Sequence, residues 1–101
     1  MKIAVSQAAA DDLARLHDFL ADKNAVAAGR AIAALISAVQ SLETFPERGR
    51  PSGTPNVREL IVPFGRSGYV LRYAYRRQTD EVIVLRLWHA REARDPDQTL
   101  K

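Results

Sequence analysis

Cysteine is absent from the chain, which excludes disulfides and thiolate metal sites alike. Long apolar runs are absent too. None approaches the roughly 20 residues needed to span a bilayer. Met1-Lys2 leads straight into Ile3-Ala4-Val5, too short for the apolar core of a secretory signal. A cytoplasmic protein without a membrane span is therefore expected. Glycine and proline number five each, and three of the prolines crowd into residues 45–55. No glycine-rich phosphate loop follows a strand, since Gly65 and Gly68 sit between two strand candidates with no helix after them. No cofactor and no metal is expected.

What remains is an ordinary globular composition, 47% hydrophobic and 27% charged over 101 residues. That length suits one domain with one core, residues 1–101. The net charge of +3 is unevenly placed. Residues 1–47 carry four basic against six acidic side chains, and residues 48–101 carry eleven against six. Ten of those eleven are arginine, which pairs bidentately with carboxylate or phosphate where lysine does not. An acidic protein or a polyanion is the partner this suggests, with a merely solvated basic face as the alternative.

The periodicity predicts an α+β fold: an N-terminal strand, then an antiparallel two-helix hairpin packed on one face of a C-terminal antiparallel meander. Lys2 to Val5 reads as the strand. Ser6 is a good helix cap, and Leu13, Leu16, Phe19 and Leu20 form one apolar stripe with Asp12, Arg15, Asp18 and Asp22 on the other side. His17 reads as a surface residue. This helix ends near Lys23. Asn24 caps a second helix, Ala25 to Glu43, with a stripe of Ala28, Ile32, Leu35, Ile36, Val39 and Leu42. Residues 45–55 are expected to be irregular, and Arg48 and Arg50 to be solvated.

The meander runs from Val57 to Arg91: strands at Val57–Val62, Tyr69–Arg76 and Val82–Trp88, separated by turns at Phe64–Gly68 and Gln78–Asp80. Strict alternation puts Tyr69, Leu71, Tyr73 and Tyr75 on one face of the middle strand and Val70, Arg72, Ala74 and Arg76 on the other. On the last strand it groups Ile83, Leu85, Leu87 and His89 against Val82, Val84, Arg86 and Trp88. That strand is apolar on both sides, so a second, uncovered face is expected to bind protein. Arg72 and Arg86 either meet across the strands or lie on opposite faces, depending on the turn. If they meet, they need an anion or carboxylates from a partner. Candidate partner-binding residues are Arg58, Arg72, Arg86, Trp88, His89 and Arg91. A basic group of Arg58, Arg86 and His89 could also hold a phosphodiester and move a proton, the equipment of metal-free RNA cleavage. A Ser67, His89, Asp95 triad can be written on paper, but nothing orders it.

The order of strand, helix pair, FPERGRP loop, RELIVPFGRSGYVLRYAY and VLRLWHAR resembles the ParE/RelE superfamily of toxins from type II toxin–antitoxin (plasmid stabilisation) modules, over about residues 3 to 94. The helix pair, Arg58-x-Leu60-x-Val62 and His89-x-Arg91 are similar to the ParE branch. The resemblance implies a toxin that poisons DNA gyrase and is neutralised, in a hetero-oligomer, by a ParD-like antitoxin whose acidic segment covers it. On that branch the chain is not an enzyme, and direct nucleic-acid binding is not expected. The RelE branch implies instead ribosome-dependent mRNA cleavage, carried here by Arg58, Arg86 and His89. The chain lacks that branch's sheet lysine and any Tyr or His after His89. A diverged scaffold that only binds its partner is the third possibility.

Overall fold

The computed structural model describes residues 1–92; Asp95 of the paper triad lies outside the described residues. Five strands and two helices follow in the order β1 (Lys2–Val5), α1 (Gln7–Ala21), α2 (Ala25–Ser41), β2 (Arg50–Pro51), β3 (Val57–Phe64), β4 (Ser67–Arg76) and β5 (Glu81–His89). They form one sheet ordered β1-β5-β4-β3-β2. The β3, β4 and β5 strands make the antiparallel meander, and β1 lies parallel to β5. The expected α+β architecture is the one observed.

Local chemistry accounts for the helix starts. The Ser6 hydroxyl accepts from Ala9 N at 3.1 Å, and the Asn24 amide oxygen accepts from Ala27 N at 3.0 Å. Both helices lie on the same face of the sheet, α1 against β5 and α2 against β3. Between the layers lies one core of Leu16, Leu35, Leu42, Leu60, Leu71, Tyr69, Tyr73, Val82, Val84 and Leu87, with alanines where the helices approach closely. Two residues of the apolar stripes fall outside it: Phe19 is 60% exposed and Ile36 46%. At about 100° per residue, Phe19 lies about 120° round the helix from Leu13 and Ile36 about 80° from Ala28.

The strand faces differ from strict alternation. Arg72 pairs with Arg86, but the next residue, Tyr73, pairs with Val84, so Leu85 is a bulge. The bulge slips the alternation of β5 by one residue. Val82 and Val84 face the helices below it, and Leu87 faces them above it. This corrects the grouping of Leu87 with Ile83 and Leu85. It accounts for only part of the apolar pattern, because Ile83 and Trp88 still lie on the face away from the helices. The link between β4 and β5 is four residues long, and the bulge adds the odd residue that brings Arg72 opposite Arg86.

Two further departures are local. The β3–β4 turn is tight, Phe64 pairing with Ser67 across Gly65-Arg66, and Gly65 supplies the φ of +59°. The supposedly irregular loop contains β2, whose two residues pair with Arg58 and Glu59. Tyr73 anchors that loop. Its fully buried hydroxyl donates to Pro46 O and accepts from Gly49 N, both at 2.8 Å. A side chain at Gly49 would meet the Tyr73 hydroxyl at 2.8 Å and Glu59 O at 2.9 Å, so only glycine fits there.

Burial pushes the Tyr73 hydroxyl above its ordinary value near 10, the Gly49 bond and the Arg58 and Arg48 charges opposing. Burial raises Tyr69 likewise. Because the folded state resists ionising these phenols, their stabilising effect is complete below pH 10 and is lost as pH climbs beyond it. Tyr73→Phe is expected to lower unfolding free energy by about 1–3 kcal/mol at pH 7, from the orphaned Gly49 N–H and Pro46 carbonyl. It should also flatten the alkaline fall in stability. Urea titrations at pH 7 and above pH 10 check both, and an unchanged pH 7 midpoint would refute the anchoring role.

Candidate functional site

The β1 strand covers only half of its neighbour, because Val5 pairs with Val84 and the chain then turns into α1. Above that point, β5 is a free sheet edge. Side chains of α1 close it one after another. Ser6 donates its N–H to Val84 O at 2.9 Å and its hydroxyl to Leu85 O at 3.0 Å. Asp12 accepts from Leu87 N at 2.9 Å. Arg15 reaches Leu87 O at 3.5 Å and Glu92 at 2.7 Å.

Asp12 also receives the Arg86 guanidinium, Nε at 2.9 Å and Nη2 at 3.1 Å. It is 4% exposed, so one carboxylate on α1 takes three bonds from two consecutive β5 residues in a dry site. Sequence patterning had put Asp12 on the polar side of the helix. A signal was present: Ala9, Asp12 and Leu16 follow the 3-4 spacing of buried positions.

Arg72, opposite Arg86, turns the other way. Its Nε donates to Glu59 at 3.1 Å, its Nη2 also pairs with Glu59, and its guanidinium lies over the Trp88 ring at 5.2 Å. Two arginines in register are thus neutralised by acids on different elements. Both carboxylates come from this chain, so the pairing does not require those of a partner. Arg72 and Trp88 are buried, and Ile61, on the same outer face, is 44% exposed. Arg58 serves the loop, donating to Gly49 O at 2.6 Å and Glu47 O at 3.2 Å with the Glu47 carboxylate at 3.9 Å.

His89 and Arg91 lie at the other end. The His89 ring meets Tyr69 edge-on at 5.2 Å, and its Nδ1 accepts from Arg91 N at 3.0 Å. In the neutral ring the proton is then on Nε2, a donor. The Arg58, Arg86, His89 group does not converge. In register, Arg58 sits two strands over and four residues along from His89, about 16 Å by strand geometry. Ser67 opens β4 beside the tight turn. His17 is exposed, 3.4 Å from Asp18. Among the described residues, no cluster of three or more His, Asp or Glu could hold a metal. No helix there is long and apolar enough to cross a membrane.

A helix hairpin thus lies on one face of a short meander, with β1 returned parallel to the last strand. The fold is similar to a solved chain of the "Chromosomal ParDE TA system from P. aeruginosa", with a TM-score of 0.72 at 24% identity, covering 88% of this chain and 95% of that one. The chain matches the family model "ParE toxin of type II toxin-antitoxin system, parDE" over residues 3–94, and it belongs to that family. Relatives in Caulobacter vibrioides are Toxin RelE1, 41% identical over 92 residues (91% of this chain, 96% of the relative), and Toxin RelE3, 39% identical over 83 residues (82% and 87%).

Asp12→Ala is expected to cost about 1–3 kcal/mol, because the buried Leu87 N–H and the half-buried Arg86 guanidinium lose the acceptor they share. In a double-mutant cycle with Arg86→Met the coupling should be on the order of 1–3 kcal/mol. Additive effects in chemical denaturation would show that the pair is incidental.

Proposed function

We propose that this ParE-family toxin inhibits DNA gyrase in the cytoplasm and is held inactive by a ParD-like antitoxin, so that loss of the module's genes penalises the cell. The observation carrying this reading is the family match over residues 3–94 on a sheet whose basic residues do not converge. Arg86 is engaged by Asp12, Arg72 by Glu59, and Arg58 by the β2 loop. Residues held in this way support a surface role over a phosphodiester site. Arg58, Arg72, Arg86 and Trp88 are assigned to shaping the sheet that partners meet, and His89 and Arg91 to direct contact with a partner.

One observation favours a second reading. Both Caulobacter relatives carry the RelE name, and His89 keeps a donor at Nε2 beside Arg91. A ribosome-dependent ribonuclease would use that donor as its proton source.

Purified toxin is expected to block gyrase supercoiling, and an equimolar antitoxin to restore it. Primer extension on translated mRNA after induction should show no new cuts. Normal supercoiling with excess toxin, together with cuts that His89→Ala abolishes, would replace the gyrase reading with the ribonuclease one. Induction without growth arrest would leave a scaffold that only binds its partner.

A further inference from the structure

The two layers part at the end of the molecule where α1 finishes. There they leave a cleft of about 500 Å³ lined by Leu16, Phe19, Leu20, Tyr69 and His89, with Arg15, Arg91 and Glu92 at its mouth. Its floor is core: Leu16 and Tyr69 are buried, and Leu20 packs against them. Its wall is not, because Phe19 stands 60% exposed, with the Lys23 ammonium over its ring at 4.7 Å. Such a cleft is large enough to seat a leucine or aromatic side chain. An exposed ring continuous with the core marks a place where a further apolar group adds burial.

The charges at the mouth select what carries that group. Arg15 is matched by Glu92 at 2.7 Å, while Arg91 is exposed, and among the described residues no carboxylate lies within ion-pair distance of it. His89 lines the same cleft, and with its Nδ1 taken by Arg91 N its Nε2 is left to donate. A carboxylate beside an apolar anchor would meet both. The outer face of the sheet makes no comparable offer, since Arg72 there is already matched by Glu59 and lies over Trp88.

We infer that this cleft is the seat for one large apolar side chain on an acidic segment of a protein partner, with an acid next to the anchor pairing with Arg91. The inference rests on the toxin–antitoxin reading, in which that partner is the antitoxin. It places the principal anchor at the α1 end of the interlayer space and not on the arginine-bearing face of the sheet.

The test measures antitoxin affinity by isothermal titration calorimetry for the full chain and three variants. Phe19→Asp is expected to weaken binding at least 100-fold. Arg91→Glu should weaken it about tenfold and flatten its salt dependence, and Ile61→Asp should leave it within twofold. All three positions are substantially exposed, and circular dichroism verifies folding. Should Phe19→Asp fail to fold, the Arg91→Glu and Ile61→Asp pair still decides. A wild-type complex that Phe19→Asp or Arg91→Glu leaves intact, or that Ile61→Asp disrupts as strongly, overturns the cleft alone. Absence of any complex with the wild-type chain overturns the toxin–antitoxin reading and the cleft with it.

Discussion

The carboxylate of Asp12 is where the two layers of this protein are joined. A four-residue β1 leaves β5 half open, and an open strand edge exposes unpaired backbone groups that invite pairing with other chains. Extending β1 would close the edge but would leave no chain to turn into α1. The helix solves this with side chains in place of backbone: Ser6, Asp12 and Arg15 take the groups that another strand would have taken. The price is a nearly dry carboxylate, and Arg86 meets it. The position of α1, the bulge at Leu85 and the direction of Arg86 are therefore one constraint. Each fails if either of the others is moved.

This arrangement changes what the excess of arginine means. Adjacent cations in register on a sheet repel each other and suggest an anionic ligand. Here the bulge lets the pair diverge, one to α1 and the other across the outer face to β3. A charge count by segment could not reveal this, because the matching acids lie 13 and 74 residues away in the chain. Basic character remains, but it lies at the margins of the sheet, where Arg91 stands.

Much of the fold was legible. Ser6 and Asn24 as caps, both helices, the three meander strands and the general α+β plan follow from spacing and turn chemistry, which are local. The misses are non-local. Alternation grouped Val82 and Val84 with Arg86 and Trp88, because a bulge leaves no mark in a run such as Val82–Leu85 that is apolar throughout. The two residues of β2 were lost among prolines, since their pairing depends on Arg58 and Glu59 across the loop. Asp12 was read as polar because an acid on an apolar stripe is buried only when a specific cation waits opposite. Phe19, read as core, turned out to be exposed, and that failure exposed the cleft. Of the candidate site, the residues at the end of β5 were visible from the sequence, while Leu16, Phe19 and Leu20 opposite them were not, because α1 showed no chemical cluster of its own.

The parallel pairing of β1 with β5 has a consequence for synthesis. Residues 2–5 leave the ribosome well before their strand partner, residues 81–84, which emerges about 80 residues later. Until then β1 has no neighbour, Asp12 has neither Arg86 nor Leu87, and α1 has α2 but not β5 to pack against. Long-range closure of this kind makes assembly late and cooperative. A nascent or prematurely ended chain therefore lacks the finished sheet edge.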